Sequence, residues 1–362
     1  MALAFLLVLG PLVVVHELGH YLVARLFGVR ADAFSVGFGK ELIGRTDKRG
    51  TRWKLCALPL GGYVQFAGDA NAASIPDPAM ANATAEQLRG TFPGAKLWHR
   101  ALIVAAGPAT NLLVALAIFF SFNLIYGKIV AAPVIAGFEQ GSPAEAAGLR
   151  LGDRIVAING EHIGGFDEIR ERVLPYPGRT VAVVAQRQGQ EVSVSMRIAE
   201  KVDRDRFGNE ARVGRIGIAG GVADIVKVGP GEAATLAVDQ SIGIVKMMVT
   251  GIGQIIGGER SVKELGGPLK IAKYSGEQLS LGWPNFVWFA ALISINLAFI
   301  NLLPIPALDG GHLAFYAAEA VRRKPVSVRG QEWAFRTGMA LVLALMLFVT
   351  FNDQVSFNLF GR

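Results

Sequence analysis

Four stretches of the chain stay apolar long enough to cross a bilayer as helices, which takes about 20 residues. They are Leu3–Phe27, Leu97–Tyr126, Phe286–Leu303 and Phe335–Phe351. A fifth, Ala233–Ile256, is interrupted by Asp239, Gln240, Lys246 and several glycines. It reads as an amphipathic helix lying along the membrane interface. The second stretch carries Gly107, Ala109 and Thr110, small residues that let a neighbouring helix come close. Between the second and third stretches the pattern changes. The segment "PVIAGFEQGSPAEAAGLRLGDRIVAINGEHI" alternates short β-type runs with Gly, Asn and Asp turn signals. Asp167–Val173 reads as a short helix, and "TVAVVAQRQGQEVSVSMRI" as a hairpin turning at Gln188–Gly189. The pattern predicts a polytopic α-helical membrane protein of four transmembrane helices with a β-rich insert over residues 131–199.

Charge orients this arrangement. Nine basic residues lie between Arg30 and Lys96, and Arg322, Arg323, Lys324 and Arg329 lie between the third and fourth spans. Under the positive-inside rule both loops are cytoplasmic, so the insert and both termini face outward. Composition agrees with a membrane protein: 52% of the 362 residues are hydrophobic and 18% charged, against about 25% charged in soluble domains. The net charge of +7 comes with no basic stripe interleaved with aromatics, so nucleic acid is not an expected partner. One cysteine, Cys56, excludes an intrachain disulfide framework. The first apolar run has no basic n-region and no small-x-small cleavage site, and it continues past a polar cluster, so it reads as a retained span.

That polar cluster is His16, Glu17 and His20 in "VVVHELGHYLVARLFG". A charged group at the bilayer centre costs roughly 2.5–3.5 kcal/mol on insertion scales. Two histidines four apart share one helix face, and with the glutamate between them they form the HExxH pattern of zinc peptidases. The alternative is a pair of histidines hydrogen-bonded in a core, which membrane depth penalises. A catalytic zinc takes three protein ligands and keeps a fourth position open. His99 and His162 are poorly placed to complete the set, whereas "NLAFINLLPIPALDGGH" offers both Asp309 and His312. Pro304 and Pro306 break the helix there, which suits the rim of a polar cavity. Charge favours the aspartate. Two neutral histidines with His312 leave the metal site at +2; Asp309 in place of His312 lowers it to +1, and ionised Glu17 beside it brings the local sum to zero.

HELGH in the first span, "GPATN" in the second, "GGPLKIAKYSG" ahead of the third and "NLLPIPALDGGH" before the last together resemble the site-2 protease family of intramembrane zinc metalloproteases. The resemblance is strongest to its bacterial RseP-type regulators of sigma-factor signalling. "GSPAEAAGLRLGDRIVAINGE" resembles the core of a PDZ domain, a fold that binds extended peptides by strand addition. The resemblance implies zinc held by His16, His20 and Asp309, with Glu17 as the catalytic base. It implies substrate contacts from Asn301 and Asn296, and from a membrane-associated β-hairpin. "WKLCALPLGGYVQFAG", Trp53 to Gly68, fits the hairpin, with two β-type runs meeting at Gly61–Gly62 and Gly62, Tyr63 and Val64 on the substrate side. The implied protein is a multi-pass resident of the bacterial inner membrane with its PDZ-like domain extracytoplasmic. Its implied substrates are single-span membrane proteins, foremost a pre-trimmed anti-sigma factor, together with remnant signal peptides.

The division expected is a membrane core over 1–130, the PDZ-like domain over 131–199, strands and the interfacial helix over 200–284, and a second membrane segment over 285–362. No room remains after Ala199 for a second complete PDZ domain. Two other readings stand beside this one: a membrane-anchored PDZ scaffold without activity, and a different HExxH membrane peptidase serving protein quality control.

Overall fold

A computed structural model describes residues 1–69, 83–204, 210–258, 262, 266–324 and 326–356. The expected segments over 1–130, 200–284 and 285–362 each include residues outside that set. In chain order the elements are helix α1 (Ala2–Leu26), strands β1 (Ala31–Thr46) and β2 (Arg52–Phe66), helix α2 (Leu97–Tyr126) and strands β3 (Lys128–Val130) and β4 (Ile135–Phe138). Then come α3 (Pro143–Ala146), β5 (Arg154–Ile158), β6 (Glu161–His162), α4 (Phe166–Val173), β7 (Thr180–Arg187) and β8 (Gln190–Arg197). They are followed by β9 (Ala199–Arg204), β10 (Glu210–Arg215), β11 (Ile218–Gly220), β12 (Asp224–Val226) and the long helix α5 (Pro230–Ile256). Helices α6 (Pro268–Ser280), α7 (Trp283–Leu302), α8 (Asp309–Arg322) and α9 (Val328–Ser356) complete the described chain. Among the described residues five helices are long and apolar enough to cross a membrane: α1, α2, α5, α7 and most of α9. The chain divides into two compact units, Met1–Phe119 with Gly266–Asp353, and Phe120–Leu265 with Gln354–Arg362.

In the first unit α1 contributes to two clusters. Ala4, Val8 and Leu12 pack with Phe286 and Ile293 of α7, and Tyr21 and Ala24 pack with Phe34, Val64, Phe66 and Ile103. Helices α1 and α2 approach closely because one crossing position is glycine. A Cβ on Gly19 would stand 2.2 Å from Thr110 Oγ1 and 2.6 Å from the Ala106 carbonyl oxygen. The proline-rich break separates α7 from α8, and Ala307 in it has a left-handed backbone (φ 89°). Gly310 and Gly311 let α8 start tightly against this break, since a Cβ on Gly310 would meet the Leu303 carbonyl oxygen at 2.2 Å. Buried Asp353 of α9 accepts hydrogen bonds from Gly267 N (3.2 Å) and Lys270 N (3.1 Å), capping the start of α6 from another element.

The β-hairpin differs from the expected one. Its strands are β1 and β2, and its turn is Asp47–Thr51, so Gly61–Gly62 lies inside β2. The Asp47 side chain builds the turn by accepting from Arg49 N (2.8 Å), Thr51 N (3.0 Å) and Trp53 Nε1 (3.1 Å). The ladder is irregular: Ala33 to Val36 are matched with Gln65 to Gly62 and again with Arg52 to Leu55. Gly61 (φ 116°) is where β2 bends to allow this, because a side chain is disfavoured in that conformation. Phe38, Leu42, Ile43, Leu55 and Leu58 are exposed on the hairpin, an apolar surface suited to lipid.

In the second unit an antiparallel sheet of order β6-β5-β7-β8 carries a core of Ile155, Ile158, Val181, Val183 and Ala185, with Ile169 and Val173 of α4 against it. Gln188 (φ 49°) and Gly189 (φ 86°) are both left-handed, the type I′ turn that matches strand twist. Strand β11 returns to pair with β4, and Ile216 joins the core, so this body draws on chain beyond the expected end at Ala199. Arg187 holds buried Asp153 through two hydrogen bonds of 2.8 and 2.7 Å, and the guanidinium keeps that carboxyl below the usual carboxylate range. Strand β3, leaving α2, pairs with β12, which leads into α5. Asn123 donates to the Ala233 carbonyl near the start of α5 (3.5 Å) and to Gln240 Oε1 further along it (3.3 Å), and near its end Gln254 donates to the Pro175 carbonyl (2.5 Å).

Candidate metal centre

Helix α1 turns one face of His16 and His20 inward; each residue is 8% exposed. Asp309, the first residue of α8, meets them from across the first unit. His16 Nε2 stands 3.2 Å and His20 Nε2 3.5 Å from Asp309 Oδ2, and the two Nε2 atoms are 3.2 Å apart. Zinc bonds of 2.0–2.2 Å at tetrahedral angles put neighbouring ligand atoms about 3.3 Å from one another. The triangle therefore has the size of one face of a zinc coordination shell. Asp309 Oδ2 is buried without a hydrogen-bond partner, as suits an atom whose partner is a cation. The donor set, two imidazoles and a carboxylate, is one that zinc accepts. Among the described residues this trio is the group placed to hold a metal ion. His312, one turn further along α8, falls outside it and lies 6.5 Å from the Tyr316 ring, centre to centre.

Helix α2 shapes the centre. Ile103, Gly107 and Asn111 follow at four-residue steps along one of its faces. The Ile103 carbonyl accepts from His20 Nδ1 at 2.8 Å, which leaves Nε2 free to meet a metal. A Cβ on Gly107 would stand 2.2 Å from His20 Nε2 and 2.8 Å from His16 Cε1, so only glycine admits both rings. Asn111, fully buried, places its side-chain nitrogen 3.3 Å from His16 Nδ1. The motif "GPATN" contains both Gly107 and Asn111, but the sequence gives neither a place at the centre, although a polar residue in an apolar span carries the same signal as the histidines.

Glu17 is half-buried, and its Oε2 accepts a hydrogen bond from the backbone N–H of Val64 in β2 at 3.1 Å. Gly62 lies beside it: a Cβ there would be 3.6 Å from Glu17 Cγ. The structure thus brings Gly62 and Val64 to Glu17, while the Tyr63 side chain turns elsewhere, its hydroxyl bonded to Lys54 Nζ at 3.0 Å. Asn296 and Asn301 lie half-buried on α7, without a side-chain hydrogen bond to the trio.

The model of peptidase family M50 matches residues 4–345. The chain belongs to peptidase family M50. A relative from Agrobacterium fabrum, named as a zinc metalloprotease, is 44% identical over 96% of this chain and 94% of its own. One from Rhizobium meliloti with the same description is 46% identical over 96% and 95%. Metalloprotease MmpA of Caulobacter vibrioides is 32% identical over 99% of this chain and 96% of that one. As a member of the M50 family, the site-2 proteases, the protein is a zinc metalloprotease with several membrane-spanning helices.

Proposed function

We propose that the protein is an intramembrane endopeptidase in which His16, His20 and Asp309 hold the zinc and Glu17 is the general base. The observation that carries this reading is the convergence of those three ligand atoms, with Glu17 on the same turn of α1. Zinc supplies Lewis-acid activation of water and of the scissile carbonyl. Glu17 takes a proton at the carboxylate oxygen not bonded to Val64 and delivers it to the departing amine. The β2 segment around Gly62–Val64 lies against Glu17, so a substrate strand laid along it has its backbone at the reacting groups. A transmembrane helix hides its amides in its own hydrogen bonds, and drawing it into a strand exposes them. Asn296 and Asn301 are the further substrate contacts in this reading.

Four spans, α1, α2, α7 and α9, cross the membrane in the proposed topology. Helix α5 qualifies by composition, but Asp239, Gln240 and Lys246 interrupt its apolar run, and in this topology it lies along the membrane interface. Its beginning is bound to Asn123 and Lys128, and its end to Pro175 of the insert. The insert acts as an extracytoplasmic PDZ-like domain that selects or restrains substrate. The substrates are single-span proteins of the bacterial inner membrane, an anti-sigma factor already trimmed by another protease and remnant signal peptides, as in RseP-type enzymes.

The test compares the membrane proteomes of cells carrying the wild type and Glu17→Gln. Stubs of single-span proteins should accumulate in the mutant, and the purified wild type should cut the same stubs in detergent. Equal stub levels in the two strains would sink the substrate assignment.

A further inference from the structure

The imidazoles of the centre are held differently at their second nitrogens. His20 Nδ1 meets a backbone carbonyl, which can only accept, so its proton is on Nδ1 and Nε2 is free for a metal. His16 Nδ1 meets the Asn111 amide, which can do either. With the amide nitrogen toward the ring, Nδ1 accepts and the ring proton falls on Nε2, the atom 3.2 Å from Asp309. That tautomer has no lone pair for zinc. With the amide turned over, Oδ1 accepts the Nδ1 proton and Nε2 is free. The two ends of an amide fill nearly the same space, so the hydrogen-bond network decides between them. One further observation bears on that choice. Asn111 Oδ1 is buried without a hydrogen-bond partner, an unfavourable arrangement that the turned amide relieves at His16 Nδ1. The backbone of Asn111 is fixed from another side, because buried Ser294 of α7 donates to its carbonyl at 2.7 Å.

We propose that Asn111 is a positioning residue for the metal: its side-chain oxygen accepts the Nδ1 proton of His16 and so keeps Nε2 open to zinc. Helix α2 thereby sets the tautomer of both histidines from one face, with Ile103 acting on His20 and Asn111 on His16. Gly107 between them gives the rings room. The proposal rests on His16 as a zinc ligand, and the experiment separates the two claims.

Full-length protein in detergent is stripped of metal and titrated with zinc against a chromophoric chelator, for the wild type, Asn111→Leu, Asn111→Asp and His16→Ala. Cobalt is loaded in parallel for its visible absorption bands, and the metal-free proteins are melted. Asn111→Leu should bind zinc 10–100-fold more weakly and alter the cobalt bands, with metal-free melting close to wild type. Asn111→Asp, which accepts and cannot donate, should keep zinc near wild-type affinity. The proposal falls if Asn111→Leu binds zinc as the wild type does, or if Asn111→Asp loses as much affinity as Asn111→Leu. Should the leucine variant fail to fold, the aspartate variant decides alone: retained zinc means His16 uses an acceptor, and lost zinc means it uses a donor. His16→Ala is the control for the ligand claim. Zinc retained there removes the assignment of His16 itself, whereas zinc lost there and kept in Asn111→Leu removes only the positioning role.

Discussion

At the scale of single residues the proposed mechanism separates metal holding from proton transfer. Glu17→Gln keeps the side chain's shape and removes the base, so activity should fall by about 10²–10⁴-fold with zinc stoichiometry unchanged by metal analysis. Zinc loss in that variant would make Glu17 a ligand. Asp309→Asn should lose zinc and activity together, whereas His312→Ala should keep its zinc under mild chelation, since His312 stands outside the trio. Gly107→Ala places a methyl within 3 Å of both rings. It should abolish zinc binding while circular dichroism still reports the helices. The histidines and Asp309 were legible in the sequence because ionisable groups at membrane depth need a reason. The contacts of Asn111 and Gly107 with those histidines were not, although "GPATN" stood out as a motif, because they depend on the register between α1 and α2, set by packing between residues about ninety apart.

At the scale of elements, the spans were legible from their length and the hairpin only in part. The run Ala31–Thr46 contains Asp32, Lys40, Glu41 and Arg45 and does not read as a strand, so the turn was sought at Gly61–Gly62. The turn signal present, Asp47 followed by Gly50, was hidden among basic residues. Because Val64 N–H donates to Glu17, Val64→Pro should lower kcat on the order of tenfold or more without releasing zinc. An unchanged kcat would mean the contact does not orient the base. In the insert, Asp153 titrates below its unfolded value because of Arg187. Its stabilisation is therefore full above the unfolded pKa, about 3.9, and fades as pH falls through the lower folded value. Asp153→Asn should speed amide exchange in β5 and β7 at neutral pH, and the difference from wild type should shrink as the pH is lowered through that window.

At the scale of the whole molecule, topology is open to labelling. With Cys56 replaced, a cysteine at exposed position 190 should react with an impermeant thiol reagent outside intact cells, and one at 327 only after permeabilisation. The reverse pattern would invert the orientation. The extent of the insert was less legible than its presence. Its β-type runs announce it, but the return of β11 to β4 is a long-range pairing that local pattern does not encode.

The ribbon of β3 and β12 has a consequence for how such a chain changes over time. Val130 faces Asp224 across it, so the chain leaves and re-enters at one point. Everything from 131 to 223 is an excursion closed at its base. A length of chain whose ends meet in this way can be exchanged or enlarged with little strain on the ribbon, and the tie it must preserve is the one from Pro175 to Gln254 of α5.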